Sequence, residues 1–415
     1  MKRVVITGMG AITPIGNSVS EFFEGLIQGR SGAAEITRFD ASRFRTHFAC
    51  EVKGYDPELS IDKKDAKRMD LFAQFALSAV HEAVQQAGLE TANLNNDRVG
   101  VIWGSGIGGL RSLEKEIEDF TKGDGTPRYN PFMIPKMITD IAAGHISIRY
   151  GYRGINYCTV SACASATHAI INATDYLRLG KADVIICGGS EAAITAAGIG
   201  GFNSMKALSE RNDDPMTASR PFDRDRDGFV LGEGAGALIL EDLDHARKRG
   251  AKIYAEIVGS GMTADAYHMT APHPEGLGAL NVMRQSLEEA KMSPKDIDYI
   301  NVHGTSTSLG DIAETKAIQQ VFGSDVYGLN ISSTKSMTGH LLGAAGAIET
   351  IAGVLSILHQ VVPPTINHFT DDPEFDPKLN FTFNQPQERK IRAILSNTFG
   401  FGGHNASVIV KSFEE

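Results

Sequence analysis

Four cysteines, at positions 50, 158, 163 and 187, and a single tryptophan are all that 415 residues hold of those two types. Four thiols in a chain this long make no disulfide framework. No CxxC pair and no HExxH occurs, so metal-ligand spacing is lacking as well. No apolar run approaches the ~20 residues of a membrane span. The opening "MKRVVITGMGAITPIG" is too short in its apolar part, and too broken by glycine, for a signal peptide. The chain is therefore expected in the cytoplasm, away from membranes. Basic excess is missing too: 40 Lys and Arg against 50 Asp and Glu leave a net charge of −10, which excludes a general nucleic-acid binder. A local basic run exists at "KKDAKRMD", where Lys63, Lys64, Lys67 and Arg68 cluster; such runs are ordinarily solvated helix faces.

What the chain does have is glycine, 44 of them, and 42% hydrophobic residues. Its length suits two or three domains or one large composite unit. Short β-branched runs that mostly end in glycine ("RVVITGMG", "RVGVIWGSG", "ADVIICGGS", "GAGALILEDL", "AKIYAEIVGSG", "DIDYINVHG", "NASVIVKSF") alternate with helical patterns such as "DLFAQFALSAVHEAVQQAG" and "GALNVMRQSLEEAKM". This is an α/β plan with sheets covered by helices. A faint echo runs through it. "VVITGMGAIT" is similar to "AEIVGSGMTA", and "INYCTVSACASATHAI" to "ISSTKSMTGHLLGAAGAIETI". Two similar halves, 1–252 and 253–415, explain both the length and the missing linker.

Each half puts a reactive-looking side chain where a strand turns into a small-residue helix. Cys163 lies in "CTVSACASATHAI". A free cysteine is most often a packed core thiol. As a nucleophile it needs activation, because a thiol of pKa near 8.5 is only about 3% thiolate at pH 7. A helix N-terminus contributes up to ~2 kcal/mol toward that. His303, in "INVHGTSTSLGD", emerges from a strand end beside small hydroxyl residues, where α/β proteins gather their sites. Asp311 and Glu314 after it are expected to form a capping box. Lys335, His340 and Glu349 sit in "STKSMTGHLLGAAGAIE", where tight packing makes polar groups costly unless satisfied. Lys335 needs an acidic partner, and Glu314 and Glu349 are the candidates. "SNTFGFGGHN" is either an ordinary glycine-rich turn or a loop that lets backbone N–H groups approach a ligand. "GSGIGG", residues 104–109, imitates a dinucleotide fingerprint, but no second strand with an acidic end follows it.

In this order, "VSACASATHA", "NVHGTST", "KSMTGHLLGAAGAIE" and "FGFGGHN" together resemble the β-ketoacyl-acyl-carrier-protein synthases, condensing enzymes with a thiolase-type fold. The resemblance spans essentially the full chain, including "SRPFDRDRDGFVLGEGAGALILE". "DAYHMTAPHPEG", and the serine after Lys335, make it most similar to the synthase II group. It implies two duplicated halves in a layered α-β-α-β-α architecture, a homodimer, and no cofactor. It implies further that Cys163 carries the acyl chain as a thioester. His303 and His340 would act on the malonyl thioester of an acyl carrier protein, and the N–H groups of Cys163 and Phe401 would hold an oxyanion. Lys335 would be held by Glu314. By the same resemblance Thr305 and Thr307 contact pantetheine, Ile107 and Phe401 gate the acyl pocket, and Lys67, Arg68 and Lys206 face the carrier protein. Asn301, Glu349, Ser396 and Asn397 match a structural monovalent-cation site.

Two positions depart from the family pattern: Ser308, commonly proline, and His404, commonly threonine. The expected reaction is a decarboxylative condensation that lengthens an acyl chain by two carbons. The alternative within the class is the ketosynthase subunit of a type II polyketide pathway. Partner subunits of that pathway lack the active cysteine, so Cys163 argues against that identity. A cysteine hydrolase gives no reason for His340 and has no matching nucleophile motif. A non-catalytic carrier-binding scaffold gives no reason for the cysteine and both histidines.

Overall fold

The computed structural model describes residues 2–414. Ten strands form its main sheet: β1 (Val4–Ile12), β2 (Val99–Gly104), β3 (Asn156–Thr159), β4 (Val184–Glu191), β5 (Gly234–Asp242), β6 (Ala255–Ala264), β7 (Tyr299–Asn301), β8 (Asn330–Ser332), β9 (Ala393–Gly400) and β10 (His404–Lys411). The order is β8-β7-β9-β10-β6-β1-β5-β4-β2-β3. Read outward from the centre, the first half runs 1-5-4-2-3 in its own numbering, and the second half repeats that order. The halves meet in a short antiparallel contact, Val4 to Ile6 against Ala255 to Ile257. The central strands β1, β4 and β5 are buried on both faces, so their side chains read as near-continuous apolar runs.

Six helices build the layers: α1 (Leu71–Ala87), α2 (Leu110–Lys122), α3 (Ser165–Arg178), α4 (Leu277–Ala290), α5 (Ser308–Phe322) and α6 (Ala345–His359). α1 covers β1, β5 and β4, and α4 covers β6 and β10. α3 and α6 pack on each other between the two halves of the sheet, giving the thiolase-like α-β-α-β-α layering. α1 starts at Asp70, whose side chain accepts the Phe72 N–H, and stops at left-handed Gly88. The central pair needs small residues because backbone approaches backbone there. A Cβ on Gly104 of β2 would come within 2.5 Å of the Ala166 nitrogen, and one on Gly346 within 1.9 Å of Thr167 Oγ1.

The segment Leu342–His359 is, by length and composition, apolar enough to cross a membrane, which corrects the expectation that no apolar stretch comes near that length. It is 89% buried between the sheet halves, which makes it a core helix. The expected capping box at Asp311 is not formed. α5 begins three residues earlier, at Ser308, with Thr307 as its N-cap. The Asp311 and Glu314 carboxylates instead reach back to the loop that precedes the helix.

Candidate active site

The two halves bring matching turns together. After β3 the chain passes through Ala162 at φ +50°, a single 3₁₀ turn (Ala162–Ala164), and then α3. Before α6 it passes through Leu342 at φ +47° and a 3₁₀ turn over Leu342–Ala344. A left-handed non-glycine residue is strained by roughly 1–2 kcal/mol. Having one at the same offset in both halves means that each turn is held by its surroundings. Cys163 projects from the first turn. His340 precedes the second, pinned by its N–H to the Val230 carbonyl (2.8 Å) and its carbonyl to the Gly232 N–H (2.9 Å). His303 leaves the end of β7.

Cys163 Sγ lies 3.0 Å from His340 Nε2. That sulfur and one nitrogen from each histidine all lie within 4.8 Å of one another. The imidazoles of His303 and His340 stand edge to face, 5.2 Å apart. Burial, and then the charge of Lys335, hold both well below the usual histidine range; His340 adds to the effect on His303. Both are therefore neutral. Neither Nδ1 has a hydrogen-bond partner. An orphaned acceptor costs less than an orphaned N–H, so the proton belongs on Nε2, facing the thiol. Burial also pushes the Cys163 thiol up to about 12, against the lowering influence of Lys335 and of a backbone hydrogen bond with Phe401. Desolvation is the largest of these influences, and the resting thiol is protonated.

Lys335 is buried and forms its ion pair with Glu349. This corrects the expectation that Glu314 holds it. Glu314 accepts the N–H groups of His303 (2.9 Å) and Gly304 (2.8 Å) and fixes the turn that aims His303. Burial raises the Glu314 carboxyl to about 7. On the adjacent strands β7 and β9, Asn301 Oδ1 and Nδ2 and Asn397 Oδ1 have no partner, and neither does Glu349 Oε2 on α6. Ser396 pairs with Asn301 between them.

A cavity of about 450 Å³ opens over these groups. Cys163, His303, His340 and Glu314 line it, together with Ile107, Phe401, Thr305, Thr307 and Lys206. Thr305 and Thr307 hydroxyls lie 3.1 Å apart. Phe401 sits in the three-residue turn between β9 and β10, where Gly402 and Gly403 take φ of +86° and +74°. A Cβ on Gly400 would come within 3.1 Å of the Cys163 nitrogen, so the two turns touch. Lys67 and Arg68 are exposed away from the cavity lining, Arg68 over the Phe132 ring. His404 is exposed and edge-on to His168, 6.4 Å between rings; His168 in turn contacts Ser161 Oγ at 2.6 Å. Ser308 is an exposed first residue of α5.

Glu191, at the end of β4, went unseen in the sequence. Its carboxylate accepts backbone N–H groups from the "GSGIGG" loop and from Gly343, so the imitation fingerprint is a loop folded around an internal acid. No spacing rule links "CGGSE" to either partner.

Two family models match: "Beta-ketoacyl synthase, N-terminal domain" over residues 1–246, and "Beta-ketoacyl synthase, C-terminal domain" over 254–369. A curated relative from Synechocystis, 3-oxoacyl-[acyl-carrier-protein] synthase 2, is 50% identical over 413 residues, covering 100% of this chain and 99% of the relative. A solved β-ketoacyl synthase from Burkholderia phymatum superposes with a TM-score of 0.92 at 34% identity, with full coverage of both chains. The AntDE:AntF complex, a type II PKS acyl-carrier protein with its ketosynthase, matches at TM-score 0.90 and 33% identity, again over 100% of both chains.

Proposed function

We propose, for a chain that belongs to the β-ketoacyl synthase family, the elongating reaction of 3-oxoacyl-[acyl-carrier-protein] synthase II. The observation that carries it is the Cys163–His340–His303 cluster at the floor of an apolar cavity. In the first half-reaction the Cys163 sulfur attacks an acyl-carrier thioester. A new thioester forms, and the thiol proton passes to the departing pantetheine sulfur. Because the resting thiol is protonated, that proton moves during the attack; the His340 Nε2–H, 3.0 Å from the sulfur, is placed to steady the thiolate as it forms.

In the second half-reaction malonyl carrier binds with its thioester oxygen toward His303 and His340. Their Nε2–H groups stabilise the enolate left when the carboxylate departs as carbon dioxide. The enolate carbon attacks the acyl-cysteine carbonyl, and the N–H groups of Cys163 and Phe401 hold the oxyanion. Collapse expels the Cys163 sulfur, which regains a proton, and releases a 3-oxoacyl carrier two carbons longer. Lys335, paired with Glu349, keeps the imidazoles neutral through its charge.

Thr305 and Thr307 suit the pantetheine arm, Ile107 and Phe401 the acyl gate, and Lys67, Arg68 and Lys206 an acidic carrier protein. The orphaned oxygens of Asn301, Glu349 and Asn397, with Ser396 beside them, fit a monovalent cation, a hard ion with oxygen ligands. Bound there it would balance the spare oxygen of Glu349. The halves are 1–252 and 253–415, the chain works in the cytoplasm, and it acts as a homodimer. Relatives near 50% identity named 3-oxoacyl-[acyl-carrier-protein] synthase 2 favour this reading over a polyketide subunit, since the type II PKS ketosynthase stands at 33%.

The test is intact mass after mixing with acyl-carrier thioesters, beside Cys163→Ala. Acylation of the wild type only, then a product two carbons longer once malonyl carrier is added, is expected. Release of free acid would point to a hydrolase, and no adduct with any chain would leave a scaffold.

A further inference from the structure

Glu191 is fully buried and forms no ion pair among the described residues. Taking a carboxylate out of water without a cation is expensive, so its surroundings must supply donors. They do. Oε2 accepts the N–H groups of Gly106 (2.8 Å) and Gly343 (3.0 Å). Oε1 accepts those of Ile107 (3.1 Å) and Gly108 (3.2 Å), and the hydroxyl of Ser105 (3.1 Å).

Four of these donors belong to the loop between β2 and α2 that carries Ile107. The fifth belongs to the turn that follows His340 and carries Leu342. The two segments touch: a Cβ on Gly343 would come within 2.2 Å of the Gly106 nitrogen and 2.7 Å of Glu191 Oε2. Gly106 also lies against the Cys163 turn, its Cβ position 3.3 Å from the Ala162 carbonyl oxygen. Ile107 and Leu342 line the same cavity as Cys163. One carboxylate therefore fixes the loop that carries Ile107 against the turn that carries Leu342. A hydroxyl or amide at this place has one acceptor oxygen with two lone pairs, so it could not satisfy all five donors at once.

We propose that Glu191 is a positioning residue that sets the acyl-chain preference of this enzyme, by clamping the Ile107 loop to the Leu342 turn at the cavity wall. This rests on the reading of the cavity as an acyl site. Glu191 touches no reacting atom; it acts through Ile107.

Glu191→Gln keeps the size of the side chain, but its amide nitrogen cannot accept. Whichever way it turns, at least two N–H groups lose their acceptor and the loop slackens. The measurement is the rate of Cys163 acylation, by rapid quench and intact mass, with short, medium and long acyl-carrier thioesters. Beside it runs the decarboxylation of malonyl carrier without an acyl donor. In the variant the spread of rates between chain lengths should flatten by about tenfold, while decarboxylation stays within about twofold. Glu191→Gln combined with Ile107→Ala should flatten the profile no further than Ile107→Ala alone.

If Glu191→Gln does not fold, Ser105→Ala removes one donor and should shift the profile the same way by a smaller factor. A chain-length profile unchanged in the variants overturns the proposal. So does a uniform loss in both half-reactions that follows Tm. A wild type that no chain acylates would sink the functional reading, and the proposal with it.

Discussion

At the scale of single residues, charge placement decides the chemistry. Cys163 is buried enough to rest as a thiol, and the two imidazoles are kept neutral partly by an ammonium that no solvent screens. Removing Lys335 alone leaves Glu349 buried and unpaired, a loss of about 3–5 kcal/mol. The cleaner variant is Lys335→Met with Glu349→Gln, which removes both charges together. Lys335 holds the histidine pKa values down, so its removal moves them up. Protonation then begins at higher pH and makes each imidazole a cation, which holds the malonyl carboxylate in its ionised ground state and so opposes its loss as carbon dioxide. The acid limb of malonyl decarboxylation should move to higher pH in the double variant, as a pH–rate profile would read; an unmoved limb would deny Lys335 its electrostatic part. Cys163, His303 and His340 were legible because each sits in a motif with its own small-residue context. The partner of Lys335 was not: Glu314 and Glu349 are equally plausible in one dimension, and only the packing of α6 on β9 brings Glu349 to the ammonium.

At the scale of elements, the site depends on α3 and α6 lying closer than ordinary side chains allow. Gly346 faces Thr167, whose hydroxyl is engaged with Thr398 Oγ1 and cannot swing aside without losing that partner. Replacing glycine by alanine within a helix gains up to about 1 kcal/mol from backbone entropy. Here the new methyl meets Thr167 Oγ1 at 1.9 Å, and overpacking of this kind costs about 1–3 kcal/mol. The clash should win. Gly346→Ala is expected to lower stability by about 1–2 kcal/mol in chemical denaturation, and adding Thr167→Ala should recover part of it. Independent, additive losses in the two variants would show that the contact is not limiting. The seven strands and two helices marked by hydrophobic pattern all formed at the expected places. The start of α5 did not: Asp311 and Glu314 carry the spacing of a cap, yet buried partners at Phe222, Ser306, His303 and Gly304 draw their carboxylates away from the helix end. Tertiary donors outbid a local motif, and nothing in the local sequence announces them.

At the scale of the whole molecule, the repeated strand order gives the sheet two equivalent ends that are treated differently. At one end β8 is covered by its own chain: the Ile331 N–H donates to the Asn380 carbonyl (2.8 Å), and Thr382 Oγ1 donates to the Ile331 carbonyl (3.0 Å). At the other end, among the described residues, no strand pairs with the outer side of β3. An open edge of this kind invites another strand. Around it stand exposed apolar side chains, with Val160 57% and Ile148 79% accessible, and Ile134 and Ile138 also exposed. A chain of net charge −10 does not leave such a patch to solvent without cause. In the homodimer proposed above, a second copy would meet the need by symmetry, edge against edge, because a two-fold axis beside β3 would pair the strand with itself. The reading carries a mechanical consequence, since β3 leads within four residues to Cys163. Val160→Asp with Ile148→Asp places two charges from each copy at the seam. Light scattering should find the wild type at twice 44.6 kDa and the variant at that mass once. Acylation of Cys163 should fall with dimer content as the variant is diluted. A wild type that stays at the single mass would remove the second copy from the account, and a monomeric variant acylated at the wild-type rate would uncouple the seam from the thiol.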